Sequence, residues 1–219
     1  MYLKFYKIDC HSISNLKSNS LYAAVPNQLN DPFEAMCTTK SAKAMYNLDG
    51  VIHYHEQVKR YNTRRAIICL VKTDDANYVR QNLLMWSHYA DSHRGFCVEY
   101  KDSIKKPLLK NCIDNRPIDY KKELVEIDEC GDGYELDPIF RKEEQWDYEK
   151  EERFLYEEVG LHSLGNHPAE CINAIYLGCN IDNKSKCYQE IIEFALKNGI
   201  KCCQMTKSPI YYELIPQDI

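Results

Sequence analysis

The stretch that most constrains this chain is Phe140 to Tyr156, FRKEEQWDYEKEERFLY. It crowds acids, bases and aromatic rings so closely that either backbone period gives it a definite face. As a strand, with side chains alternating between faces, it sets Asp147, Glu149, Glu151 and Arg153 on one side. Trp146, Tyr148, Phe154 and Tyr156 then share the other side with Lys150 and Glu152. As an exposed helix, the same letters make Glu149 and Arg153 an i,i+4 ion pair. The strand reading yields paired carboxylates beside an arginine, an arrangement suited to chemistry in which positive charge develops on a sugar. The helix reading, or a strand lying in water, yields an ordinary solvated surface.

Composition limits the class of protein around that stretch. With 219 residues, 44% hydrophobic and 28% charged, the chain can bury a substantial core and falls outside disorder. A net charge of −5 argues against gripping nucleic acid through bulk electrostatics, although Lys101, Lys105, Lys106 and Lys110 offer a local basic patch. The N-terminus MYLKFYKID lacks a signal-peptide core and no apolar run is long enough to span a membrane. A cytoplasmic protein without membrane attachment is expected. The eleven cysteines form no C-x-x-C pair and are odd in number, so a disulfide framework is not indicated. Cys69, Cys97, Cys179 and Cys202 lie in apolar runs, where cysteine acts as a small hydrophobe. Cys10-His11 alone brings two metal-ligating types together, and no metal site is expected.

Taken in order, residues 2–8 and Leu21–Val25 read as strands around a short helix capped by Ser12 or Ser14. The following NQLNDPFE reads as a turn. Asp31 precedes a proline and is pushed toward an extended backbone, and Asn30 and Asp31 can close the turn with their side chains. The alternative is a loop that holds polar groups over a ligand. Residues 41–64 read as helix broken near Asp49-Gly50, with His53 and His55 on opposite sides. Ala66–Val71 is a buried strand. A helix is expected from Asp74 or Asp75 through the MWSHYADSH segment, and Gly95–Tyr100 is a strand. Trp86, His88, Tyr89 and His93 are either core groups or a polar cluster facing a pocket. A basic helix over 102–112, a strand at Ile118–Tyr120 and an acidic surface over 123–137 come next. Ala174–Leu177 is a strand and Asp182–Asn198 an amphipathic helix ended by Gly199. Strands at Ile200–Met205 and Ile210–Leu214 close the chain. Many short strands and few long helices, not strictly alternating, predict an α+β fold. Neither a P-loop nor a G-x-G-x-x-G is present.

Four segments together carry a resemblance: Leu3 to Lys7, NDPFE at Asn30 to Glu34, Met85 to Gly95, and Trp146 to Arg153, with LGCNI at Leu177 to Ile181 also fitting. The chain resembles a widespread bacterial domain-of-unknown-function family marked by an LYKYR-like start, NDPFE, MWSHYAD-h-x-G and W-x-Y-E-x-E-R. More distantly it is similar to ADP-ribosyltransferase-like toxins and phage-defence proteins. That similarity implies one domain over 1–219 with a central, mostly antiparallel split sheet flanked by helices. It implies NAD as cofactor and a protein or nucleic-acid acceptor, with a cognate antitoxin or defence partner. Glu151 would stabilise the oxocarbenium-like transition state, and Glu149 would orient or deprotonate the acceptor. His88 joins them as a catalytic candidate. Lys7, Tyr22, Asn30, Asp31, Trp86, Tyr89 and Arg153 are the candidates for holding the dinucleotide. The chain departs from the pattern where the family's arginine is Lys7, which lacks the bidentate fork, and where its second-strand serine is Ala23 or Ala24.

Two further readings stand beside this one. A metal-assisted nuclease or hydrolase would use Asp31, Glu34, His88 and the Glu149/Glu151 pair. A non-catalytic interaction module, such as an antitoxin or sensor, would use the polar clusters only to brace loops.

Overall fold

The computed structural model describes residues 1–39, 65–127 and 136–219. The helix expected over 41–64, with His53 and His55, lies outside the described residues, as does much of the acidic stretch 123–137. The fold is α+β with a large, mostly antiparallel sheet. Among the described residues no helix is long and apolar enough to cross a membrane. The chain forms two compact units, each built from separated segments. The first comprises Met1–Tyr22, Leu70–Lys110 and Leu161–Ile219, and the second Ala23–Cys69 and Asn111–Gly160.

In the first unit the strand order is Leu214–Asp218, Lys201–Lys207, Ile172–Leu177, Phe96–Tyr100, Tyr2–Tyr6, then Ala66–Lys72, which enters this unit at Leu70. Ile172–Leu177 and Lys201–Lys207 are parallel, and the helix Lys186–Asn198 supplies the crossover that parallel neighbours require. The remaining pairs are antiparallel, with Leu3 opposite Val71 and Glu99, and Tyr6 opposite Phe96. Phe96–Tyr100 is buried along its whole length, Glu99 included, whose carboxylate accepts from the Asn173 amide group and the Tyr176 hydroxyl. Leu3, Phe96, Val98 and Ile175 are completely or almost completely buried, each contributing about 1.5–3 kcal/mol.

Local chemistry moves several expected boundaries in this unit. The first helix starts at Cys10, because Asp9 and not a serine is its cap. Asp9 accepts from the Ser12 amide and Ser12 reciprocates, a capping box. The long helix expected after Asp75 is two short ones, Tyr78–Gln81 and Leu83–Tyr89. Asn82 breaks it by leaving helical ψ and accepting from the Met85 amide, so it caps the second helix. Helix Lys186–Asn198 begins later than Asp182, whose carboxylate instead closes a turn with the Lys184 amide. Gly199 ends it in the left-handed conformation, φ 63°, as expected. Ile210–Leu214 is not a strand. The Ser208 hydroxyl accepts from the Ile210 and Tyr211 amides and makes a closed loop, and the last strand begins only at Leu214.

In the second unit Glu151–Tyr156 pairs antiparallel with Asp114–Pro117, Arg153 opposite Arg116. It also holds two short parallel pairs, Cys37–Thr38 with Val125–Glu126 and Asp119–Tyr120 with Arg141–Lys142. Ala35, Ile67, Ile139, Phe140 and Leu155 form its core. The stretch Phe140–Tyr156 is neither the continuous strand nor the exposed helix of the two expectations. Glu144–Glu149 is a 3-10 helix, Lys150 takes a left-handed conformation (φ 45°, ψ 47°), and Glu151–Tyr156 is a strand buried at every position. A single left-handed residue thus converts one period into the other between the two glutamates.

Candidate functional site

The second unit gathers its charges around Arg153, which is 0% exposed. The NDPFE turn delivers the first partner. Pro32 restricts Asp31, whose carboxylate accepts from the Phe33 amide, and the Glu34 amide donates to the Asp31 carbonyl. Asp31 is therefore the turn-closing group of the simpler reading, and the turn carries Glu34 inward. Both Glu34 carboxylate oxygens accept from the Arg153 guanidinium, Oε1 from Nη1 and Oε2 from Nη2. The guanidinium also donates to the Ile139 carbonyl at 2.5 Å. Its Nε donates to Glu151 Oε1 at 2.7 Å. Lys142 Nζ sits 2.7 Å from Glu149 Oε2 and 3.7 Å from Glu151 Oε2, with the Trp146 ring 4.5 Å away as a cation–π partner. The Glu151 amide donates to the Tyr120 hydroxyl at 2.8 Å.

These contacts explain physically the W-x-x-E-x-E-x-R spacing of Trp146, Glu149, Glu151 and Arg153. Trp146 and Glu149 hold Lys142, Glu151 bridges Lys142 and Arg153, and Arg153 ties the strand to the NDPFE turn. Burial pushes the Glu151 carboxyl up, but the adjacent Arg153 and then Lys142 outweigh it and bring it to about 2. Lys142 is raised, since Glu151 and Glu149 outweigh its desolvation. Glu34, Glu149 and Glu151 are three carboxylates around two cations, all buried. Lys142 and Arg153 fill the space between the acids, and among the described residues no group of three or more His, Cys, Asp or Glu side chains is arranged to hold a metal ion.

The other expected site residues lie elsewhere in the chain's organisation. Lys7, Tyr22, Trp86, His88 and Tyr89 belong to the first unit, and Asn30, Asp31, Glu149, Glu151 and Arg153 to the second. Lys7 follows the first strand, exposed and paired with Asp9 at 3.3 Å. Tyr22 is exposed on the strand Ser20–Ala23. Trp86 is fully buried, donates its indole N–H to the Val79 carbonyl at 2.7 Å and meets Phe5 edge-on, so it serves the core. His88 is exposed, with the Tyr89 ring 6.4 Å away. Asn30 is exposed.

The histidine of this segment that reaches a cavity is His93. Asp91, Ser92 and His93 are three successive non-glycine residues at positive φ, 47°, 54° and 67°. Each such residue costs roughly 1–2 kcal/mol. The run is held by the Ser92 amide on the Ser87 carbonyl, the His93 amide on the Trp86 carbonyl and the Asn180 amide on the His93 carbonyl. Gly178 permits that last approach, because a Cβ there would collide with the His93 carbonyl oxygen. The imidazole lies parallel to the Trp86 indole at 6.2 Å. The Ser87 hydroxyl donates to the Leu83 carbonyl, which leaves its oxygen to accept from His93 Nε2 at 3.3 Å. Nδ1 is then the acceptor nitrogen, buried and without a hydrogen-bond partner among the described residues. Burial and then Lys207 lower the His93 pKa, keeping the ring neutral.

His93 lines a cavity of about 630 Å³ with Lys207, Asn180, Ser208, Tyr211 and Tyr212. The sequence groups His93 with Trp86, His88 and Tyr89, and His88 is the expected candidate among them. The sequence had no signal for Lys207, whose neighbourhood is set by sheet pairing. Lys142 was likewise unmarked, though it stands in the crowded stretch. No family model matches the chain, and no curated protein or solved structure matches it.

Proposed function

We propose that this chain is an ADP-ribosyltransferase-like enzyme acting on NAD, with Glu151 as the ionised carboxylate that stabilises positive charge developing on the nicotinamide ribose. The observation that most supports the reading is the charge inventory around Glu151. Three buried carboxylates surround two buried cations, and Glu151 itself is held ionised by Arg153 and Lys142. A fixed, desolvated negative charge needs no reorganisation when positive charge forms, which is the basis of electrostatic catalysis. NAD would supply the ribosyl group and nicotinamide as leaving group. Glu149, two residues earlier on the same ammonium, is the candidate for orienting the acceptor.

The test is free nicotinamide released from NAD by the purified chain, with protein and nucleic-acid acceptors present, against Glu151→Gln. Release by the natural chain and none by a Glu151→Gln protein that still unfolds cooperatively is the expected result. Equal release from both, or none from either, overturns the proposal.

A second reading, a non-catalytic interaction module, is favoured by one specific observation: Glu34, Glu149 and Glu151 are each buried and each paired with a cation. Under it the network only braces the NDPFE turn against the strand. Glu151→Gln then lowers the melting temperature, and neither protein turns over NAD.

A further inference from the structure

The cavity around His93 lies wholly within the first unit and uses none of the Glu151 network. Its charge is asymmetric. Glu213, the acid on its lining, is neutralised by Arg80 at 3.2 Å. Lys207 is exposed and forms no ion pair among the described residues, so its ammonium is available to an anion. Burial and then that same charge lower the pKa of the neighbouring His93, so among the described residues one unpaired positive charge, that of Lys207, faces the space.

The wall beyond Lys207 is aromatic and unpacked. Tyr211 is 70% exposed and Tyr212 97%, yet the backbone that carries them is fixed. The Ser208 amide donates to the Glu213 carbonyl at 3.0 Å and the Glu213 amide to the Tyr211 carbonyl at 2.8 Å. The Ser208 hydroxyl accepts from the Ile210 and Tyr211 amides. The loop therefore presents two exposed tyrosine side chains on a hydrogen-bonded backbone at the lining that Lys207 shares. A volume of about 630 Å³ suits a small ligand, within the range of about 300–1,000 Å³ usual for such sites. The left-handed run 91–93 also fits a site, since backbone strain of this kind collects where a side chain must be aimed.

We propose that this cavity binds a small aromatic anion of the nucleoside monophosphate class, its phosphate on Lys207 and its base against Tyr211 and Tyr212, with Asn180 and Ser208 available to the sugar or base edges. The unpaired Lys207 ammonium matches a phosphate, and base–tyrosine stacking tolerates any base because each has a π face. Direct contact between a lysine and a phosphate adds a charge-assisted bond that adenosine alone lacks. The site does not depend on the transferase reading, because no residue is shared.

Calorimetric titration of the full chain with adenosine 5′-monophosphate, adenosine and inorganic phosphate tests it. The nucleotide is expected to bind at least ~10-fold more tightly than either half. Lys207→Ala and Tyr212→Ala, both at exposed positions, should each weaken it about 10-fold without lowering the melting temperature. The His93 ring resonances should shift on binding. Nucleotide binding no tighter than adenosine or phosphate, or unchanged in either variant, overturns the proposal. Glu151→Gln should bind the nucleotide as the natural chain does, so failure here and failure of NAD turnover are read separately.

Discussion

Lys142 and Lys207 carry the same side chain into opposite situations. In the second unit Lys142 is buried between Glu149, Glu151 and the Trp146 ring. In the first unit Lys207 stands exposed at a cavity with no ion pair among the described residues. The contrast separates two uses of charge. A charge taken out of water must be matched almost completely, since an isolated buried ion is strongly unfavourable. A charge left at a wet cavity contributes little to the fold and stays free for a ligand.

Removing charges from the two regions should break or sharpen that contrast. The largest effect is expected at Arg153. Arg153→Met leaves Glu34 and Glu151 buried without their shared cation, and the loss should reach about 5 kcal/mol, enough to abolish cooperative unfolding in urea. Lys142→Met, which takes the ammonium away from Glu149 and keeps Arg153, should cost about 3 kcal/mol in the same measurement. If either variant is as stable as the natural chain, the network is not what holds the NDPFE turn to the strand.

Acid should act on the same region. The Glu151 carboxyl stands at about 2 in the folded chain against an ordinary 4.5. Between those values the unfolded chain binds the proton and the folded chain does not. The contribution is therefore complete above pH 4.5 and is lost as the pH falls from there toward 2. Urea midpoints measured stepwise into acid should show this decline, and Glu151→Gln should make it shallower.

Smaller effects bound the comparison. Lys150 adopts φ 45°, a region that glycine enters without a Cβ penalty, so Lys150→Gly should stabilise by about 1 kcal/mol. Lys207→Met should change stability by less than about 0.5 kcal/mol. That near-zero result, set against Lys142→Met, is the sharpest form of the contrast.

Much of the local structure was legible from the residues alone. The apolar run Ala66–Val71, the proline-constrained NDPFE turn and the helix ended by Gly199 each stand where their chemistry predicts. The chain departs from its sequence pattern where one side chain competes with a period. Asn82 capped a new helix inside an apparently continuous one, and Ser208 closed a loop in place of an expected strand. His93, and not His88, reaches the cavity, because three left-handed residues redirect the chain after Tyr89. Helical periodicity alone could not register that turn.

By itself the sequence determined that acids, an arginine and a tryptophan would be crowded between Phe140 and Tyr156, and that Asn30 to Glu34 would turn. Tertiary structure alone decided that these acids are buried and paired. Glu34 reaches Arg153 across 119 positions of chain, and Lys142 comes from a short strand before the 3-10 helix. Whether a carboxylate is solvated, paired or poised depends on which cations share its dry surroundings, and spacing along a chain carries no measure of that distance.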